Sequence, residues 1–113
     1  MNFKLKTQTP SEHDIQTIIL EYLKLRGHYC KRVNTGAFGG EHKGKKWFVR
    51  TAPKGTLDID GVQRGTGRGF AIEVKSKYGK LSPEQEQVIS EINKCGGLAF
   101  VAKSLDDVIK HGL

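Results

Sequence analysis

FAIEVKSKYGKLSPEQ, residues 70–85, decides how the rest of the chain is read. Phe70 to Val74 is an apolar run of strand length broken by one carboxylate, and a basic turn and a helix start follow it. Strand side chains alternate between two faces, so Phe70, Ile72 and Val74 fall on one side and Ala71, Glu73 and Lys75 on the other. The first side packs, while the second carries a carboxylate and an ammonium. Ser82, Pro83 and Gln85 then read as N-cap, first helical position and capping-box partner. Val88, Ile89 and Ile92 line the apolar face of that helix, and Gly96 and Gly97 end it.

On the N-terminal side, LDIDGVQ at 57–63 is separated from the strand at 69–76 by RGTGR, whose glycines permit a tight turn, so the two runs are expected to form a hairpin. Simple alternation puts Leu57 and Ile59 on one face and Asp58 and Asp60 on the other, bringing one or both aspartates towards Glu73. Further upstream, Ser11 and Asp14 start a helix over 11–26, with Ile15, Ile18, Ile19, Tyr22 and Leu23 at helical spacing. HYCKRVN at 28–34 and WFVR at 47–50 read as strands, and the glycine- and lysine-rich segment 35–46 between them as a long loop. LAFVA at 98–102 is a short strand, and SLDDVIKH opens a last helix with Ser104 as its cap and Asp107 three residues on. These elements predict an α/β fold, a sheet with helices packed on its faces.

A chain of 113 residues is expected to form a single domain over residues 1–113. Lys and Arg outnumber Asp and Glu by 19 to 12, a net charge of +7, which favours an anionic partner with nucleic acid first, although a merely basic soluble surface gives the same balance. No stretch approaches the roughly 18 apolar residues of a membrane span, and MNFKLKTQTPSEHD lacks the apolar core of a signal peptide, so the expected location is cytoplasmic with no membrane partner. Cys30 and Cys95 have no zinc-knuckle spacing and are expected to be reduced and buried. His13, His28, His42 and His111 are scattered without metal-ligand spacing.

If Asp58 or Asp60 lies beside Glu73, the two carboxylates repel each other unless a cation neutralises them. Mg²⁺ suits such a pair, because it is held by one or two carboxylates together with waters and phosphate oxygens. Lys75 could then position the attacking water or meet the scissile phosphate, which is the chemistry of phosphodiester hydrolysis. The E-x-K triplet alone also fits an ordinary solvated sheet face carrying a Glu-Lys pair.

Segment 43–54 adds Lys43, Lys45, Lys46, Arg50 and Lys54, suited to a phosphate backbone, with Trp47 and Phe48 interleaved. Strand spacing places at least one of the two aromatics in the core and leaves the other to stack on a base. Arg32 and Asn34 share one face of the first strand and are weaker candidates for the same surface, an edge in water being the alternative. Gly39 and the Gly44-Lys45 pair approach a P-loop in spacing, but Lys46 replaces its Ser or Thr and a strand follows instead of a helix, so no nucleotide cofactor is expected.

Taken together, SEHDIQ at 11–16, RVNTG at 32–36, KGTLDIDG at 54–61, FAIEVK at 70–75, KLSPEQ at 80–85 and GGLAFVAKSLDDV at 96–108 resemble, in order, the VRR-NUC family of the PD-(D/E)xK nuclease superfamily. The resemblance implies a restriction-endonuclease-like αβββαβ core with a mixed central sheet flanked by helices. It makes Asp58 and Glu73 metal ligands with the Val74 carbonyl, and Lys75 the lysine of the motif. Glu12 becomes an acidic residue near the metal and Gln85 a glutamine facing the site. As plain local features, Glu12 also suits the first turn of a helix and Gln85 a capping box. The superfamily's leading proline is absent, Leu57 standing before Asp58.

The implied activity is a Mg²⁺-dependent deoxyribonuclease, with Mn²⁺ as a possible substitute. A chain of this kind is similar to stand-alone phage and bacterial members, which resemble Holliday-junction resolvases. That likeness implies branched DNA as substrate, a homodimer, and the cytosol of a bacterium or a phage-infected host. The alternative is a nucleic-acid-binding module that keeps the fold without cleaving.

Overall fold

The computed structural model describes residues 9–33, 37–50 and 52–113. Helix α1 spans Glu12–Leu25 and is followed by strands β1 (Tyr29–Arg32), β2 (Ala37–His42), β3 (Lys45–Arg50), β4 (Ile59–Val62) and β5 (Gly69–Val74). Helix α2 (Pro83–Lys94), strand β6 (Leu98–Ala102) and helix α3 (Leu105–Lys110) complete the order. The main sheet has four strands in the order β1-β4-β5-β6. β1 with β4 and β4 with β5 are antiparallel, and β5 with β6 is parallel, joined through α2. With the β2–β3 ribbon set apart, the elements contributing to this sheet follow the expected αβββαβ order.

The alternation of β5 sorts the core into two layers. Phe70, Ile72 and Val74 pack with Ile15, Ile19 and Leu23 of α1, Val108 of α3 and Phe100 of β6. On the opposite face Ala71 packs with Leu57 and Ala99 beneath Val88, Ile89 and Ile92 of α2. A strand covered on both faces reads as a nearly continuous apolar run, which is why a carboxylate inside it stands out. Both long helices start on their serine caps: Ser11 Oγ accepts from Asp14 N at 3.1 Å, and Ser82 Oγ accepts from Gln85 N at 3.1 Å.

Several expectations are corrected. Segment 35–46 is not one long loop: its described part pairs as β2 with β3 through a turn at Lys43 (φ 49°) and Gly44 (φ 77°). Two successive positive-φ residues make the primed turn that matches strand twist, and the Gly39-Gly40 pair hides strand propensity in the sequence. Trp47 and Phe48 are both exposed, at 46% and 62%, because they project from opposite faces of this ribbon, with Trp47 lying across Gly40.

Leu57 and Ile59 do not share a face. Regular strand begins only at Ile59, so Leu57 turns under α2 while Ile59 packs towards α1. At the other end of the chain, Ser104 makes no side-chain cap bond. Asp107 Oδ2 instead accepts from Lys103 N at 2.8 Å. Of the cysteines, Cys30 is half-buried, which raises its thiol pKa, and Cys95 is exposed at the C-cap of α2.

Gly61 is fixed by close packing. A Cβ there would fall 2.4 Å from the Tyr29 carbonyl oxygen and 2.1 Å from Cζ of Phe70, its cross-strand neighbour. Gly61→Ala is therefore expected to destabilise the fold by about 1–3 kcal/mol or more through overpacking, read as a lower urea midpoint at an unchanged slope.

Candidate active site

The site forms where β4 and β5 part company. Their pairing ends at Ile59 opposite Ile72, which leaves the next β5 amide without a ladder partner. The Asp58 carboxylate takes it, Oδ2 accepting from Val74 N at 2.8 Å. The Asp58 backbone carbonyl meanwhile accepts from Val33 N at 2.7 Å, so the residue is fixed from both sides. Asp60, the competing aspartate, pairs across from Ala71 and lines a separate, mainly apolar cleft with Phe70, Ile92 and Cys95.

Glu73 points into the space beside Asp58 and is only 3% exposed. Its two oxygens have unlike surroundings. Oε2 accepts from Gln85 Nε2 at 2.9 Å and pairs with Lys75 Nζ at 3.2 Å. Oε1 is buried with no donor among the described residues. Burial, and next the neighbouring Asp58 charge, push the Glu73 carboxyl up to about 7, outweighing the opposing pull of Lys75.

Gln85 serves two structures at once. Its Oε1 accepts from Ser82 N at 2.9 Å to close the capping box, and its Nε2 reaches Glu73. The helix cap thus sets the position of a donor in the site. Glu12, in the first turn of α1, accepts through Oε1 from Ser76 N at 3.3 Å and so ties the helix to the chain just beyond Lys75.

Among the described residues no group of three or more Asp, Glu, His or Cys side chains could hold a metal ion. The pair that is present still suits a hard divalent cation: the Lys75 ammonium does not outweigh burial and the Asp58 charge at Glu73, whose Oε1 is buried with no hydrogen-bond partner among the described residues.

The basic residues singled out in the sequence are more dispersed. Lys43, Lys45 and Lys46 are exposed on the β2–β3 ribbon. Arg32 donates through a guanidinium nitrogen to Thr17 Oγ1 at 3.2 Å, which turns it towards α1 and away from the Glu73 face. Lys54 is paired with Glu84 at 2.8 Å on the surface. Asn34 and the side chain of Arg50 lie outside the described residues. Gly79, which sequence reasoning passed over, closes on the site: a Cβ there would lie 3.2 Å from Lys75 Cβ and 3.4 Å from Glu12 Oε1.

The Glu73 environment carries a pH signature. The folded carboxyl titrates near 7 against an ordinary 4.5, so between those values the folded chain holds a proton that the unfolded chain has lost. Stability of the metal-free protein should then fall as pH rises through that window and level off above it. In EDTA, thermal melting is expected to show this decline for the wild type, and Glu73→Gln should lack it and melt higher than wild type at pH 8.

Residues 10–106 match the model of the VRR-NUC domain. Two solved structures, each described as a VRR-NUC domain, are similar in fold. One superposes with a TM-score of 0.62 at 19% identity, covering 92% of this chain and 100% of that one. The other gives 0.54 at 22% identity, covering 91% and 85%. No curated protein matches the sequence significantly. The family match spans most of the chain and includes Asp58, Glu73, Lys75 and Gln85, and the chain belongs to the VRR-NUC domain family, a nuclease family.

Proposed function

We propose that the protein is a divalent-metal-dependent DNA endonuclease acting on branched DNA, with Asp58, Glu73 and the Val74 carbonyl as the metal-holding set. The observation that carries this reading is Glu73: a carboxylate buried beside a second carboxylate, one oxygen held by Lys75 and Gln85 and the other without a donor among the described residues. Its pairing with Lys75 does not offset burial beside Asp58, and an incompletely compensated buried charge is costly in a site built only for stability.

Mg²⁺, or Mn²⁺ in its place, would supply there the positive charge that activates water and offsets charge on the phosphate. The chain's own groups have distinct tasks. Lys75 is an ammonium on the rim, its side chain 17% exposed, able to meet a phosphate oxygen as charge develops during in-line attack. Gln85 fixes the orientation of the Glu73 carboxylate, and Glu12 holds the backbone that follows Lys75. Neither needs to touch the substrate to do so.

The β2–β3 ribbon offers Lys43, Lys45 and Lys46 to the backbone beyond the site, with Arg50 and Lys54 as further candidates. A two-stranded ribbon is narrow enough to enter a major groove, and Trp47 and Phe48 are exposed enough to stack on an unpaired base. A two-fold homodimer would present equivalent sites to the symmetric arms of a four-way junction.

The test incubates the protein with labelled four-way junction, flap, single-stranded and linear duplex DNA in Mg²⁺, in Mn²⁺ and in EDTA. Cleavage is expected with metal only, fastest on a branched substrate. Asp58→Ala and Glu73→Ala should abolish turnover while DNA affinity remains, and Lys75→Ala should lower kcat by about 10²–10³-fold. Absence of cleavage on every substrate, with binding intact, would replace the nuclease by a DNA-binding module.

A further inference from the structure

A cleft of about 340 Å³ beside the site has no part in the scheme above. It is lined by Gly79, Lys80, Leu81, Glu86, Val101 and Lys103, drawn from the loop after β5, the start of α2 and the end of β6. We propose that this cleft is a second phosphate-binding subsite, taking a neighbouring phosphate of the DNA strand whose scissile phosphate meets Lys75. The inference rests on the nuclease reading and extends it to how the strand is laid across the protein.

Three observations support the assignment. The first is continuity, since the Gly79 Cβ position lies 3.4 Å from Lys75 Cδ while Gly79 also lines the cleft. Val101, on the cleft wall, is the cross-strand partner of Glu73, and Glu86 directly follows Gln85. The active site and the cleft are therefore adjacent along one surface.

The second is charge. Two cationic residues, Lys80 and Lys103, line the cleft against one acidic residue, Glu86. Two further acids lie close by: Asp107 uses Oδ2 to accept from Lys103 N, and Glu12, near Gly79, uses Oε1 to accept from Ser76 N. The cleft also opens beside the N-terminal turn of α2, whose dipole favours an anion.

The third is preorganisation. Lys103 Nζ donates to the Lys77 carbonyl at 3.1 Å, which holds the ammonium over the loop. An ammonium has three donors, so two remain for phosphate oxygens. Lys80, two residues before the Ser82 cap, is exposed on the same cleft and adds a second cation without being held in place.

The experiment measures binding of the full chain to labelled four-way junction DNA in EDTA, for wild type, Lys80→Gln, Lys103→Gln and the double variant, across a salt series. The double variant is expected to bind about five- to tenfold more weakly. Its log Kd against log salt slope should be shallower by about 0.7–0.9 for each phosphate that is no longer neutralised. A single neutral methylphosphonate linkage is then scanned along one strand. One position that weakens the wild type should carry no penalty in the double variant.

An unchanged slope and an unchanged methylphosphonate profile would overturn the assignment. If the double variant does not melt like wild type, Lys80→Gln carries the test, because Lys80 is exposed and makes no side-chain hydrogen bond among the described residues. Because binding is read without metal, a wild type that binds but never cuts contradicts the nuclease reading and leaves this measurement valid.

Discussion

The hydrogen bond from the Val74 amide to the Asp58 carboxylate, 2.8 Å long, is the interaction on which the candidate site depends. It stands where a backbone carbonyl would continue the β4–β5 ladder, and it lets the two strands separate without leaving a buried amide unpaired. The separation opens the space that Glu73 enters. The same bond brings Asp58 against Glu73, so one local solution to a sheet problem also creates a pair of like charges in a poorly solvated place.

That arrangement makes sense energetically only with its surroundings. Phe70, Ile72 and Val74 hold β5 rigidly against α1 and α3, and Ala71 admits α2 close to the opposite face. The small residue matters, because it lets the first turn of α2 bring Gln85 within 2.9 Å of Glu73. Burial and Asp58 raise the Glu73 pKa while Lys75 opposes them, and the opposition is not sufficient. Part of the stability contributed by the two apolar layers therefore goes to holding an electrostatically unfavourable centre, as is usual for functional sites.

Much of this is legible in the sequence for specific reasons. The alternation of β5, the capping box at Ser82 and Gln85, and the glycine stops after α2 are all short-range signals, and the structure follows them. Alternation misplaces Leu57 because it does not hold upstream of the strand, and nothing local marks Ile59 as the first strand residue. The β2–β3 ribbon is hidden because Gly39 and Gly40 are poor strand formers. Its turn needs positive φ at Lys43, a residue that rarely adopts it. The approach of Gly79 and Lys75 to Glu12 joins two parts of the chain more than sixty residues apart, which no sequence spacing records. Likewise, the choice between Asp58 and Asp60 depends on where a ladder ends, and the cross-strand register supplies that.

In the proposed function the crowded Asp58 and Glu73 carboxylates hold a divalent cation. The most direct measurement is anomalous diffraction from crystals grown with Mn²⁺, collected for wild type and for Glu73→Gln. One manganese peak is expected beside Asp58 and the buried Oε1 of Glu73 in the wild type, and none there in the variant. A wild-type crystal with no manganese at these carboxylates, or with equal occupancy in the variant, would contradict that function.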